Sequence, residues 1–224
     1  MKNTFWHFGD SFAFSGNNPE SFGLLLSRKF NMSYEFHAVS GSANQMIFSN
    51  ILKNDSNYKP GDIIFINWSF FHRGCYVGDN HDIKSTNEFF NENVNEITKS
   101  SSNYSDFIKK NSFILDYTLN FSYDLNVKLF NGLVYPYFSA LKKRGISVYN
   151  LFIRDDEPVS HEELIINDIM NIIKIDNNIK FEPTYYEWLI NNEYFHNGDE
   201  GHYSHGIQPI LANEIFERIQ NLFK

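Results

Sequence analysis

Four short apolar runs, each closed by small or polar residues, are the first pattern along the chain. They span residues 4–8, 34–39, 63–66 and 146–152. Apolar runs of this length between turn-forming residues predict strands that are buried on both faces.

Segments with helical character alternate with these runs. They cover residues 19–30, 44–53, 106–143 and 208–223. The last is the clearest, because Leu211, Ile215 and Ile219 recur at helical spacing and Pro209 suits a first-turn position. Strands that alternate with helices predict an α/β protein with a parallel sheet covered by helices.

The chain is expected to form a single domain over residues 1–224. We find no internal repeat and no linker rich in Pro, Gly or Ser. Residues 74–105 depart from the alternating pattern because they are rich in Asn, Ser, Asp and Gly, which predicts an insertion or a lid rather than a second domain.

Charge excludes one class of partner. Lys and Arg total 19 against 27 Asp and Glu, a formal net charge of −8. A protein that binds nucleic acid needs a basic surface to displace counterions, so we expect no nucleic-acid partner. The 23 Phe, 13 Tyr and 3 Trp supply ample apolar side chains for one core.

Compartment and cofactors follow from a few further features. Cys75 is the lone cysteine, which fits a reducing, cytoplasmic location. We expect no signal peptide, because the first ten residues contain no apolar run of sufficient length. No apolar stretch of about 20 residues occurs in the sequence, so we also expect no membrane partner. We expect no cofactor and no metal, and the oligomeric state is left open.

Gly9-Asp10-Ser11 follows the first predicted strand. In an open α/β sheet the ligand lies outside the carboxyl ends of the strands. A Ser on the turn between a strand and a helix is therefore well placed for a nucleophile. The alternative is structural, with Asp10 or Ser11 only capping the next segment.

Asp199 and His202 lie in a Gly-containing loop before the last predicted helix. A hydroxyl nucleophile needs a base, and the base needs a group that fixes its tautomer. His202 and Asp199 fit these two roles, although both residue types are also common in solvated turns. His205 is a second candidate base. A metal site with His196 is disfavoured because its ligands would crowd one short loop.

Together, Gly9-Asp10-Ser11 and Asp199-x-x-His202 resemble the first and last sequence blocks of the SGNH (GDSL-type) hydrolases, and Ser40-Gly41-Ser42 resembles the second. The resemblance implies a three-layer, flavodoxin-like sandwich with a mostly parallel five-stranded sheet. It also implies Ser11 as nucleophile, His202 as base and Asp199 as its orienting carboxylate. The backbone N–H groups of Ser11 and Gly41 would form the oxyanion hole.

The third block departs from the family pattern. The chain reads Asn67-Trp68-Ser69 and then Phe70-Phe71-His72-Arg73 where the family has Gly-x-Asn-Asp. This resembles a divergent branch with Trp-Ser and a following Arg. We expect Asn44 and Ser69, in preference to Asn67, to supply the missing side-chain donor.

Substrate contacts are predicted for Asp10, Trp68 and Arg73. Arg73 could clamp an acidic group, or pair locally with Asp79 or Asp82. The aromatic residues could stack on sugar rings or simply fill the core. The implied activity is a serine esterase that cleaves a small O-acyl ester, an O-acetyl group on a carbohydrate above all. The alternative is a weakly active or inactive carbohydrate-binding or structural module with the same fold.

Overall fold

The fold is given by a computed structural model. It describes residues 2–10, 12–13, 21–69, 75–77, 83–85, 122–153, 173–181, 185–194 and 205–222. Within these ranges strands alternate with helices, as the apolar pattern predicts.

A parallel sheet lies at the centre of the described structure. The strands in chain order are β1 (Thr4–Gly9), β2 (Ser33–Ala38), β3 (Ile63–Trp68), β4 (Cys75–Val77), β5 (Ile83–Ser85) and β6 (Ser147–Phe152). The parallel sheet has the order β2-β1-β3-β6, and β4 pairs with β5 in a separate antiparallel ladder. Every residue of β3 is buried, as expected for an inner strand covered on both faces.

The prediction of five strands is wrong for the described sheet, which has four. Residues 173–181 pass beside β6, but among the described residues a single parallel bridge joins them, between Asn150 and Asn178. Asn177 has a left-handed backbone with φ of 50°, a conformation outside the extended region. The chain therefore turns where a fifth strand would have to continue.

Six helices are described. They are α1 (Phe22–Lys29), α2 (Asn44–Lys53), α3 (Ser122–Leu129), α4 (Tyr135–Lys143), α5 (Tyr185–Asn191) and α6 (Gln208–Asn221). A π-helical turn, Phe130–Val134, joins α3 to α4. Ser21 caps α1, because its side-chain oxygen accepts a hydrogen bond from the N–H of Leu24 at 3.2 Å, which satisfies one of the free donors at the helix start.

Two apolar cores lie on opposite faces of the sheet. On one face, side chains of β1, β3 and β6 pack with α1, α5 and α6; members of this core include Phe5, Phe65, Leu26, Leu189 and Leu211. On the other face, the alternate side chains of the same strands pack with α2 and α4; members include Trp6, Ile64, Ile47 and Leu141. The three-layer arrangement predicted from the sequence is confirmed.

The predicted helix at 44–53 coincides with α2, and the one at 208–223 corresponds to α6. The predicted helix at 106–143 is interrupted by the π turn, and its residues 106–121 lie outside the described structure. Of the proposed insertion at 74–105, only β4 and β5 are described, so its role as a lid stays a prediction. Across the described ranges, no helix combines the length and the apolar character needed to cross a bilayer.

Candidate functional site

The carboxyl ends of β1, β2 and β3 meet at one edge of the sheet, where the site was predicted. The structure describes five of the predicted site residues there or nearby: Asp10, Gly41, Asn44, Trp68 and Ser69. It also describes Asn67, the less favoured candidate donor. The predicted nucleophile Ser11, the predicted pair Asp199 and His202, and Arg73 lie outside the described residues, as does His196.

Asp10 is fully buried and anchors the turn after β1. Its Oδ1 accepts a hydrogen bond from the N–H of Phe12 at 3.0 Å, and its Oδ2 accepts one from the hydroxyl of Ser69 at 2.8 Å. The carbonyl oxygen of Asp10 also accepts from the N–H of Ala13 at 3.1 Å. A buried carboxylate with these partners positions the turn, and the predicted substrate contact of Asp10 stays a prediction.

Gly9 is required by a close approach between the turn and β3. A Cβ at this position would lie 2.7 Å from the Cβ of Ala13 and 2.9 Å from the carbonyl oxygen of Asn67. Separations this short force neighbouring atoms to move, so only glycine allows the turn to pack this tightly. A steric constraint thus explains why the first residue of the Gly9-Asp10-Ser11 motif is glycine.

Gly41 lies in the turn between β2 and α2 with a left-handed backbone, φ of 76°. The N–H of Ser42 closes this turn on the carbonyl oxygen of Val39 at 3.2 Å, and the N–H of Val39 donates to the carbonyl oxygen of Gly9 at 3.0 Å. The turn is therefore tied directly to the end of β1. Among the described residues no hydrogen bond uses the N–H of Gly41, and its role as an oxyanion donor stays a prediction.

Asn44, the first residue of α2, bridges two other elements. Its Oδ1 accepts from the N–H of Ser69 at 2.8 Å, and its Nδ2 donates to Oδ1 of Asn126 at 3.1 Å. Both asparagines are fully buried. An amide nitrogen carries two hydrogens, so one N–H of Asn44 remains after these two bonds. The role of Asn44 as the side-chain oxyanion donor stays a prediction.

Asn126 of α3 is a site residue that the sequence analysis missed. It follows an apolar residue and precedes another in the segment DLNVKL, so an asparagine among apolar neighbours was the only signal. Its contact with Asn44 spans 82 positions, and such a separation leaves no trace in local sequence.

Ser69 has both donors engaged. Its hydroxyl donates to Asp10 and its N–H donates to Asn44. A serine hydroxyl carries one hydrogen, so Ser69 cannot donate to an oxyanion while these bonds hold. The oxyanion-hole role of Ser69 stays a prediction. Ser69 instead couples the turn that holds Asp10 to the start of α2.

Trp68 belongs to the core rather than to a substrate surface. Its side chain is fully buried, its Nε1–H donates to Oδ1 of Asn150 at 2.9 Å, and its ring meets that of Phe130 edge to face with centroids 4.7 Å apart. A ring without exposed area offers no face for a sugar to stack on. The substrate contact at Trp68 stays a prediction, and in this structure the ring packs in the core.

Asn67 points to the opposite face of the sheet from Trp68, where it meets His7. Nε2–H of His7 donates to Oδ1 of Asn67 at 3.0 Å, while Nδ1 accepts from the hydroxyl of Tyr34 at 3.0 Å. Burial disfavours the charged ring and lowers the pKa of His7 to about 4. The buried Nδ2 of Asn67 has no hydrogen-bond partner among the described residues.

The described part of the site is thus a donor-lined edge with a fixed scaffold. Among the described residues, no hydrogen bond uses the N–H of Gly41 or the second amide hydrogen of Asn44. The bonded series Asp10, Ser69, Asn44 and Asn126 links the ends of β1 and β3 to α2 and α3. Preorganised donors in a buried setting are suited to stabilise negative charge that develops on an oxygen.

Comparisons with known proteins give weak overall likenesses. No family model matches the sequence, and no curated protein matches it significantly. Among solved structures, the chain is similar to a lipolytic protein of the G-D-S-L family from Desulfitobacterium hafniense DCB-2, with 10% identity over 96% of this chain and 99% of that one and a TM-score of 0.47.

Two further structures show the same degree of likeness. A GDSL-like lipase from Parabacteroides merdae ATCC 43184 has 10% identity, coverage of 98% of this chain and 96% of that one, and a TM-score of 0.46. A carbohydrate esterase, described as having divergent catalytic and non-catalytic binding functions, has 15% identity, coverage of 97% and 68%, and a TM-score of 0.38. Similarity at this level assigns no activity to the chain.

Proposed function

We propose that the protein is a serine esterase that hydrolyses a small O-acyl ester, with Ser11 as nucleophile, His202 as base and Asp199 as the carboxylate that orients His202. The observation that carries the proposal is the pair of free donors, Gly41 N–H and Asn44 Nδ2–H, on a scaffold bonded to the residue that precedes Ser11.

The hydrogen bonds of Asp10 favour the esterase hypothesis over the alternative that Asp10 only caps the next segment. A turn that needed only a cap would be satisfied by one side-chain bond. Asp10 instead accepts from Phe12 on one side of position 11 and from Ser69 on the neighbouring strand. These bonds fix Asp10 at the end of β1. The proposal puts Ser11, the next residue, beside the donors of Gly41 and Asn44, the juxtaposition that acyl transfer requires.

In the proposed first step, His202 takes the hydroxyl proton of Ser11 as Ser11 Oγ bonds to the carbonyl carbon. The carbonyl π electrons move to the oxygen, where Gly41, Asn44 and the N–H of Ser11 would stabilise the charge. The carbon–oxygen bond to the alcohol then breaks, and the alcohol leaves with the proton from His202. Water, deprotonated by His202, releases the acid from the acyl-enzyme in the same manner.

We further propose that the acyl group is small, an acetyl group in the first instance, and that the alcohol is a carbohydrate. Arg73 stays in the proposal as a contact for an acidic substituent. An inactive carbohydrate-binding module would keep the same scaffold. Ester hydrolysis distinguishes it from an active esterase.

Hydrolysis of p-nitrophenyl acetate tests the proposal. The wild-type protein should release p-nitrophenol with saturating kinetics, and Ser11→Ala should lower kcat by at least about 10³-fold. Ser33→Ala is the matched control, because Ser33 is an exposed residue of β2. Turnover by Ser11→Ala at the wild-type rate, or a well-folded wild-type protein without turnover, would overturn the esterase assignment.

A further inference from the structure

The strand β2 forms an exposed edge of the parallel sheet. Within the described sheet it pairs with β1 alone, and none of its six residues is buried. The strand at the other edge, β6, is mostly buried and also bridges to Asn178 through Asn150. An exposed strand edge is a template for pairing with another chain. The edge of β2 is therefore the side of the sheet that is suited to strand addition.

The backbone of β2 directs alternate residues to its two sides. The N–H of Ser33 donates to the carbonyl oxygen of Asn3 at 2.9 Å, and the N–H of Val39 donates to that of the last residue of β1 at 3.0 Å. Because backbone groups alternate in direction along a strand, Tyr34 and Ala38 turn their N–H and C=O groups away from β1. Among the described residues, no strand lies on that side of β2.

The outward backbone groups of β2 are complementary to those of a second β2 strand. When two copies of β2 run antiparallel with Phe36 opposite its own copy, Tyr34 lies opposite Ala38 of the other chain. Such a pair exchanges two hydrogen bonds between N–H and C=O groups, as in an ordinary antiparallel ladder. The two-fold axis repeats the pair. In the same register, Glu35 lies opposite His37 of the other chain.

The side chains of Glu35 and His37 suit this register. Glu35 is exposed, and the ring of His37 stacks on the rings of Trp6 and Phe8, with centroids 5.6 and 5.0 Å apart. The Nε2 atom of His37 is shielded from solvent, which leaves Nδ1 as the ring nitrogen that another chain can reach. Side chains directly opposite in an antiparallel pair have Cβ atoms about 5 Å apart. The carboxylate of Glu35 can therefore accept a charge-assisted hydrogen bond from Nδ1–H of the second copy's His37.

Phe36 supplies an apolar contact on the other face of β2. Its ring is 37% exposed and meets the ring of His7 edge to face, with centroids 5.7 Å apart. At the two-fold axis the ring would lie beside its own copy, so that its exposed part would be removed from water. Aromatic pairs across antiparallel strands stabilise a sheet.

We propose that a second copy of this chain covers the edge of β2, and that the two β2 strands pair antiparallel with Phe36 at the two-fold axis. The two four-stranded sheets then form one continuous sheet across the dimer. Each chain offers one β2 edge, so this assembly closes at two copies. The proposal is independent of the esterase hypothesis, because it uses no residue of the proposed catalytic site.

Sedimentation velocity over a concentration series tests the dimer. The wild-type protein should reach twice the chain mass of 26.3 kDa and grow no further. Glu35→Lys should raise the Kd of the dimer at least about tenfold, because two symmetry-related side-chain pairs are lost. Glu217→Lys is the matched control, because Glu217 is an exposed residue of α6 and the substitution changes the net charge by the same amount. Adding His37→Glu to Glu35→Lys should restore the dimer.

Ala38→Pro tests the backbone bonds. Proline lacks an N–H, and the N–H that is lost at position 38 points away from β1, so the bonds within the sheet remain while the dimer loses half of its Tyr34–Ala38 bonds. The variant should be monomeric, with circular dichroism as the check on folding. If it does not fold, Glu35→Lys and its restoring second substitution decide the question. A monomeric wild-type protein, growth beyond two copies, or the same Kd in Glu35→Lys as in Glu217→Lys would overturn the proposal.

Discussion

At the scale of single residues, the site depends on side chains that position one another. Asp10, Ser69 and Asn44 are fully buried and bonded in series. Burying polar groups is costly unless each is paired, so this series holds its members in one geometry. Asn44 keeps one amide hydrogen outside these bonds, and its role as an oxyanion donor stays a prediction.

The substitution Asn44→Ala should lower kcat for p-nitrophenyl acetate by about 10²–10³ with little change in KM, because an oxyanion donor acts mainly in the transition state. Asn126→Ala removes the neighbour of Asn44 but keeps the donor, so its loss in kcat should be much smaller. Steady-state assays with p-nitrophenyl acetate on both purified variants compare their kcat values, and urea unfolding checks that both variants are stably folded. Equal losses of kcat in the two variants would show that Asn44 is only structural.

At the scale of elements, β1 carries the site and a buried histidine on the same strand. His7 lies between Tyr34 of β2 and Asn67 of β3, and its ring also packs edge to face against Phe22 and Phe65. The neutral ring thus bridges three strands beneath α1. Because its pKa falls from 6.5 to about 4, protonation of the ring opposes folding.

The pH dependence follows from this shift. Between pH 6.5 and about 4 the unfolded chain binds a proton at His7 that the folded chain does not. The free energy of unfolding should therefore decrease as pH falls through this window, by up to about 3 kcal/mol from His7. NMR of the imidazole resonances, assigned with His7→Gln, should show the ring neutral at pH 5. If the His7 ring titrates near pH 6.5, the claim that burial lowers its pKa is wrong.

The elements also show what local sequence can predict. The bounds of α2 were predicted because its apolar residues repeat at helical spacing. The predicted third strand ended at residue 66, whereas β3 continues to Trp68. Alternation along the longer strand puts Trp68 on the same face as Ile64 and Ile66, and that face is core.

At the scale of the whole molecule, the parallel order of the sheet brings distant parts of the chain to one edge. Asn44 and Ser69 meet across 25 positions, and Ser69 meets Asp10 across 59. The sequence predicted that these residues share a site, because carboxyl ends of parallel strands converge. It did not predict which of them donate to each other, because such bonds depend on tertiary packing. The four-strand count likewise depends on the backbone of Asn177, which composition does not reveal.

Covalent labelling tests most directly whether Ser11 is the nucleophile. A fluorophosphonate probe should add one phosphonyl group to the wild-type protein and to Ser33→Ala, seen by intact mass spectrometry, with the modified peptide containing Ser11. Ser11→Ala should gain no mass under the same conditions, because the probe reacts with an activated serine nucleophile. Labelling of Ser11→Ala at the wild-type rate, or no labelling of the folded wild-type protein, would contradict the proposal that Ser11 is the nucleophile of an esterase.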